Sequence, residues 1–489
     1  MDTYTVVLAQ LLLAFTIFVV FFKPRNSNLP PGPRPWPIIG NLLHLGDKPH
    51  RRLTELSRIY GPIMFIQLGF VPTIVISSPE IAKQVFLHHD PDFSGRNVPA
   101  GGKVSDHHKF SIGWLPICPK WRTLRKIATI HLFTGKALDA GESLRRKVVD
   151  KLIGFVGDCC KTGRPVDIGK AVFVTSINLL SNTLFSIDLA SYGDSKSDDF
   201  KKILWEFWEE AGKPNLTDAF PALGWLDLQR ASKRVGRCFD RVLGVFEEII
   251  ERRIRDSKGF GDDGLGNFLK LVEENEWSLD DVKHFLFDLF IAGTDTTSTT
   301  IEWAMTELLR HPEKMAKAQS EIVQVIGDNG RPVQELDIPK LPYIQAIAKE
   351  TLRMHPPAPF LLPHKAQKNV QLDGYLVPKN AQVWVNVWGI GRDPSVWPNP
   401  DSFTPERFLN GGVDAKGRDF EFIPFGEGRR ICVGMPLAYR MLHLVLANLL
   451  CSFNWKPSDG VSPHDVGVDD KFGIVVQRNH PLEAIPCAM

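Results

Sequence analysis

Apolar residues run from Val6 to Phe22, with Gln10 and Thr16 the only polar interruptions. As a helix these seventeen positions reach about 26 Å, enough to cross a bilayer core. Lys23 and Arg25 follow, while the leading end carries Asp2 and no basic residue. The positive-inside rule then expects the rest of the chain on the cytoplasmic side. A cleaved signal peptide would need a basic leading region, which is missing. From Leu29 to Pro37, five prolines in nine residues predict an extended, semi-rigid spacer. The boundaries are thus a membrane anchor at 6–22, a basic and proline-rich hinge at 23–37, and one body over 38–489.

In that body, Met64–Leu68 and Thr73–Ile76 read as two strands of a hairpin around Gly69 and Pro72. Helical periodicity then dominates, over 120–133, 142–158, 170–185, 199–210, 231–257, 280–309, 312–326, 343–354 and 437–450. Short strands are expected to return near 370–387, and the polar, glycine-rich stretch 256–266 reads as a mobile loop. The class is mainly α with a small β part. A net charge of +2 on 489 residues gives no reason to expect nucleic acid. Seven cysteines, with no CxxC pair, suit free thiols in a reducing compartment, and Cys159–Cys160 reads as part of a helix.

Chemistry concentrates in a few places. Phe425-Gly426-Glu427-Gly428-Arg429-Arg430-Ile431-Cys432-Val433-Gly434 sets one cysteine in a glycine-punctuated, arginine-flanked turn before a helix. Glycines allow close approach to a flat ligand, and arginines favour a thiolate. A haem ligand and a buried structural cysteine both fit this loop taken alone. The apolar helix 285–305 carries Gly293-Thr294-Asp295-Thr296-Thr297 at its middle, where glycine, threonine and a carboxylate all cost stability. Threonine hydroxyls bonding back to the previous turn would open the helix and leave a groove, with Asp295 and Thr296 as a proton route. A threonine-rich packing face fits equally. Glu350 and Arg353 share a helix face at i,i+3, and Arg407 offers a second cation to Glu350. Trp121 and Arg125, at i,i+4, suit an anionic group or a surface stack.

In this order, together with Leu29-Pro30-Pro31-Gly32-Pro33, these motifs resemble the cytochrome P450 superfamily of haem-thiolate monooxygenases, from the anchor to about Ile474. The resemblance implies a cytochrome P450 fold, a single large haem domain behind the anchor. It implies haem b (iron protoporphyrin IX) with Cys432 as the iron ligand, and Trp121, Arg125 and Arg430 at the haem propionates. Glu350, Arg353 and Arg407 would lock the core, and Asp295 with Thr296 would deliver protons for dioxygen activation. Electrons would come from NADPH through NADPH–cytochrome reductase, whose acidic face would meet Arg122, Lys126 and Arg429. Localisation would be the endoplasmic reticulum membrane, single-pass, with the catalytic domain in the cytoplasm.

Ala211–Leu216, Ile301–Met305 and Trp388–Asp393 are similar to plant members, closest to the group that contains geraniol 8-hydroxylases. That implies hydroxylation of a small lipophilic metabolite, with a monoterpenol such as geraniol first. The alternatives are a diterpenoid or benzylisoquinoline alkaloid, or a dioxygen-independent isomerase or dehydratase. The implied substrate pocket is Val98, Phe110, Ile291, Ala292, Phe360, Leu361 and Ile474. Three positions depart from the family pattern: Val433 replaces a proline, Glu427 a small residue, and His364 an arginine that holds a propionate. His364, or Lys365 beside it, would take over that contact and make haem retention depend on pH.

Overall fold

The computed structural model describes residues 28–193, 199–256, 261–327, 330–409, 412–415 and 417–489. The expected anchor at 6–22 and the first five residues of the hinge lie outside the described residues. The rest of the hinge is tied to the body. The amide of Phe65 donates to the Pro31 carbonyl at 2.8 Å, and the Asn41 side chain donates to the carbonyls of Pro33 and Arg34.

The helices that build the site are α1 (Pro119–Ala128), α2 (Ile168–Phe185), α3 (Asp199–Ala211), α4 (Ala231–Asp256), α5 (Leu279–Arg310), α6 (Pro342–Met354) and α7 (Met435–Ser452). α5 is the spine. Ser278 and Asp281 cap its start reciprocally, satisfying amides that the first turn leaves free. Phe285, Leu286 and Phe290 of α5 belong to a core shared with α2, α3 and α4. Ile301, Met305 and Leu308 belong to a second core shared with α6 and α7. One helix therefore stitches two hydrophobic cores together, and its threonine-rich middle falls between them. Among the described residues, two helices, α2 and α7, are apolar and long enough to cross a membrane, and both are mostly buried in this body.

A five-stranded sheet flanks the helices. It is formed by β1 (Ile63–Leu68), β2 (Val71–Ile76), β3 (Gly95–Arg96), β4 (His364–Lys365) and β5 (Gln382–Val385), in the spatial order β1-β2-β5-β4-β3. β2 pairs antiparallel with β1 and parallel with β5, and Arg96 lies opposite His364 across β3 and β4. Two residues turn the first hairpin, with Gly69 at φ 57°, so Pro72 lies inside β2 rather than in the turn. Two helical expectations shift. The 120–133 run breaks into α1 and a π-type turn at Thr129–Phe133. Gly264–Gly266, expected to be loop, opens a helix to Glu273 capped by the Asp263 side chain. The seven cysteines are all free, and Cys159 and Cys160 are helical.

α6 carries a clamp that ties it to the segment before the cysteine loop. Arg353 donates to both Glu350 oxygens, at 2.7 and 2.8 Å, with both side chains fully buried. Arg407 reaches the same carboxylate at 3.1 Å, and the Thr404 amide at 2.7 Å. The other Arg353 hydrogens go to the carbonyls of Gly391 and Pro400, so the fork stitches α6 to the segment before the cysteine loop. Removing Arg353 leaves the buried Glu350 charge held only by Arg407 and one amide, with one oxygen bare. Arg353→Met should therefore lose about 3–5 kcal/mol of stability, read as a lower denaturant midpoint by circular dichroism; an unchanged midpoint would show that the clamp is dispensable.

Candidate active site

The cysteine loop owes its shape to two glycines with left-handed backbone, Gly426 at φ 70° and Gly428 at φ 68°. A side chain on Gly428 would meet Asp90 Oδ1 at 2.4 Å. The loop returns to place the Cys432 amide on the Phe425 carbonyl at 3.0 Å. Burial pushes the Cys432 thiol up, while hydrogen bonds from the backbone of Gly434 and Met435, with the Arg125 charge, pull toward the thiolate. Cys432 nevertheless keeps open surface although protein surrounds it. That combination describes a sulfur at the wall of an internal cleft. Val433 packs into the core with α1. Glu427 turns back to accept from the Gly428 amide and lies against Gly417, so it works as a cap of the loop.

Positive charge gathers beside this sulfur. Arg125 donates to the Ile431 carbonyl at 2.5 Å. Arg430 donates to the carbonyls of Ser94 and Leu115, and its remaining Nη1 is buried without a partner. Arg96, on β3, donates to the carbonyls of Gly113 and Leu362. Among the described residues, none of the three pairs with a carboxylate, because the nearby Asp90 is taken by Arg429 at 2.9 Å. Desolvation and mutual repulsion lower Arg96 to about 9 and Arg430 to about 10. Trp121 supports two of these cations, with Arg430 at 4.8 Å and Arg125 at 5.6 Å from its ring. Its indole N–H is spent on the Ile112 carbonyl at 3.0 Å, so Trp121 acts as a platform and not as a free donor.

His364 stands in the same cluster. Its Nδ1 bonds the Phe93 carbonyl at 2.9 Å, and burial beside Arg96 and Arg430 holds it well below the ordinary imidazole range. The ring favours its neutral form, and the cation that the strand pair sets beside it is Arg96. Arg96 escaped the sequence reading because nothing periodic marks a two-residue strand; only its register with His364 reveals it.

α5 runs unbroken through its threonine-rich centre, contrary to the expected opening. The hydroxyls of Thr294, Thr296 and Thr300 do bond back to the carbonyls four residues earlier, at 2.8, 2.7 and 2.8 Å, without parting the helix. Ala292 keeps open surface and Thr296 is half-buried, while Thr294, Asp295 and Thr297 to Thr300 are buried. Ala292, exposed, and Thr296, half-buried, lie one turn apart and form an open strip, with Ile291 and Gly293 half-buried beside them. Asp295 faces elsewhere: both its oxygens accept from Gln477 Nε2, at 2.8 and 2.7 Å. With no cation at hydrogen-bond distance, burial raises Asp295 to about 7.

The apolar pocket candidates divide. Ile291 adjoins Ala292 on α5, Leu361 lies against Gly426 of the cysteine loop, and Val98 is half-buried beside Trp114 and Gly102. Phe110 stacks on His284 at 4.5 Å, three turns before Thr296, and Phe360 stacks on Trp384 at 4.9 Å within the sheet-side core. Ile474 is exposed near the end of α3.

A family model described as cytochrome P450 matches residues 30–482. The chain belongs to the cytochrome P450 family. It is 53% identical over 464 residues to cytochrome P450 monooxygenase 76AD131 of Lophophora williamsii, covering 94% of this chain and 93% of that one. It is 47% identical over 469 residues to a geraniol 8-hydroxylase of Swertia mussotii, covering 95% and 94%. A geraniol 8-hydroxylase of Catharanthus roseus is 46% identical over 495 residues, covering both chains completely. This P450 is a haem-thiolate monooxygenase that uses haem with electrons from NADPH through a reductase. The residues present fit that group. An enclosed thiol with open surface and an orphaned guanidinium nitrogen beside two further unmatched cations are what a thiolate-ligated, doubly anionic macrocycle requires.

Arg96→Ala should release haem at least about tenfold faster to an acceptor apoprotein, since a charge-assisted hydrogen bond contributes about 1.5–3 kcal/mol. An unchanged rate would remove Arg96 from the site. Because His364 is neutral at ordinary pH, wild-type haem release should show no inflection near the usual imidazole pKa. An inflection there that His364→Arg abolishes would contradict this assignment.

Proposed function

We propose that this P450 hydroxylates a small terpenoid alcohol, with geraniol at its 8-position as the first candidate. The observation that carries the reading is near full-length similarity to proteins named geraniol 8-hydroxylase from two plants. The open strip on α5 agrees with it: Ile291 and Ala292 offer apolar surface, and Thr296 adds a single hydroxyl. An apolar body with one polar group matches a terpenol in both size of contact and polarity.

Cys432 is the iron ligand in this reading, and Arg96, Arg125 and Arg430 hold the propionates, with Trp121 behind the last two. Bound there, haem supplies the activation of dioxygen and the oxidising equivalents. The chain supplies position and protons. Thr296 presents its hydroxyl on the open strip, its own proton satisfied by the Ala292 carbonyl and its lone pairs free to accept. Asp295 is the adjacent acid, poised near neutrality by burial, and refills that hydroxyl by turning from Gln477 through water. Glu350, Arg353 and Arg407 keep the scaffold rigid beneath these groups.

Residues 6–22 are the membrane anchor and 23–37 the hinge in this account, leaving 38–489 as the catalytic body at the cytoplasmic face of the endoplasmic reticulum. Exposed apolar side chains at Trp36, Ile38, Phe70, Leu223 and Trp225 support contact with a lipid surface. Arg122 and Lys126, exposed on one face of α1, with Arg429 on the cysteine loop, support docking of an acidic reductase.

Microsomes holding the full chain and a plant NADPH–cytochrome reductase test the substrate. NADPH-dependent formation of 8-hydroxygeraniol is expected, and Thr296→Ala should divert most NADPH oxidation to peroxide while substrate binding persists. Turnover confined to alkaloids, with no terpenoid consumed, would overturn the substrate assignment.

A further inference from the structure

Gln477 lies on β7 (Gln477–Arg478), which pairs with β6 (Asp470–Lys471) in a two-stranded sheet beside α5. Its amide nitrogen lies 2.8 and 2.7 Å from the two oxygens of the buried Asp295 carboxyl, so one N–H is shared between them. The chemistry of this partner is unusual for a buried carboxylate, which ordinarily pairs with a cation. A lysine or arginine can only donate, so it favours the charged form. An amide both donates and accepts. Its N–H groups serve the carboxylate, and after a flip its oxygen accepts from the carboxylic acid.

We propose that Gln477 is a positioning residue: it holds the Asp295 carboxyl in both protonation states, more strongly as the carboxylate, and thereby sets the pH range over which Asp295 passes protons to Thr296. The proposal rests on the reading of Asp295 as the proton carrier. No covalent step is added; one proton moves from Asp295 and is restored from solvent.

The surroundings keep this latch neutral. Glu302, two turns further along α5, is buried on the same side and raised to about 7 by desolvation. It accepts from the Leu482 amide at 2.8 Å. Arg478 stays 3.9 Å from Glu302 and spends its hydrogens on Thr306 and on the carbonyls of Gly467 and His480. Asp167, at the start of α2, adds negative charge facing Glu302. Among the described residues no cation bonds Asp295, so burial pushes its carboxyl toward the protonated acid against the Gln477 hydrogen bond.

Two substitutions push in opposite directions. Gln477→Lys adds a cation, so Asp295 ionises at lower pH; Gln477→Met removes the donor to the carboxylate, so it ionises at higher pH. Product formed per NADPH, measured against pH, should lose its alkaline limb about one pH unit earlier in Gln477→Lys and about one unit later in Gln477→Met. A thiolate-type carbon monoxide difference spectrum shows that each variant holds haem normally, and either variant alone carries the test. Limbs that coincide with wild type, while Asp295→Asn uncouples the enzyme, would overturn the role of Gln477. If Asp295→Asn itself leaves coupling and the solvent isotope effect unchanged, the reading of Asp295 as proton carrier falls, and this proposal with it.

Discussion

Three guanidinium groups without a carboxylate, gathered beside an enclosed thiol, are the constraint around which this protein is organised. Arg96 comes from a two-residue strand, Arg125 from α1, and Arg430 from the cysteine loop. Each is tied by carbonyl hydrogen bonds to a different segment, so the cluster cannot relax by swinging one side chain into solvent. Like charges held together in low dielectric lose hydration and repel, and both effects push Arg96 and Arg430 below the ordinary guanidinium range. Only an anion seated among them relieves the strain. A group carrying two carboxylates and an iron for the sulfur meets both demands at once.

The rest of the fold supplies the rigidity that makes this arrangement selective. The Glu350 clamp gathers α6 and the loops that lead to the cysteine segment, and its carboxylate is fully saturated by two arginines and one amide. α5 passes through both hydrophobic cores, so the open pair Ala292 and Thr296 is held by a helix that cannot easily drift. Cation cluster and proton-bearing helix are thus fixed by independent packing.

Much of this was legible in the chain because periodicity and short motifs are local. The long helices between 142 and 354 end within a few residues of where periodicity puts them, Gly264–Glu273 excepted, and the Glu350–Arg353 pair follows from i,i+3 spacing alone. What the chain concealed was long-range. Arg96 is distinguished only by its register against His364, some 270 positions away, and Gln477 meets Asp295 across 182. Adjacent residues on a helix point about 100° apart, so Asp295 and Thr296, side by side in sequence, face different partners. Trp121 is expected beside an anionic group, and its N–H is bound to the Ile112 carbonyl, which no spacing rule announces. Phe110 and Phe360 are apolar at suggestive positions, but each is committed to a neighbouring ring.

The most direct test of the account is the reduced carbon monoxide difference spectrum of the full chain, recorded for the wild type and for Cys432→Ser under identical expression. The account predicts the red-shifted Soret band of thiolate-ligated haem in the wild type and its loss in the variant. A wild-type protein that binds haem without that band, or a Cys432→Ser protein that retains it, would contradict the claim that Cys432 and the cations beside it form the haem site.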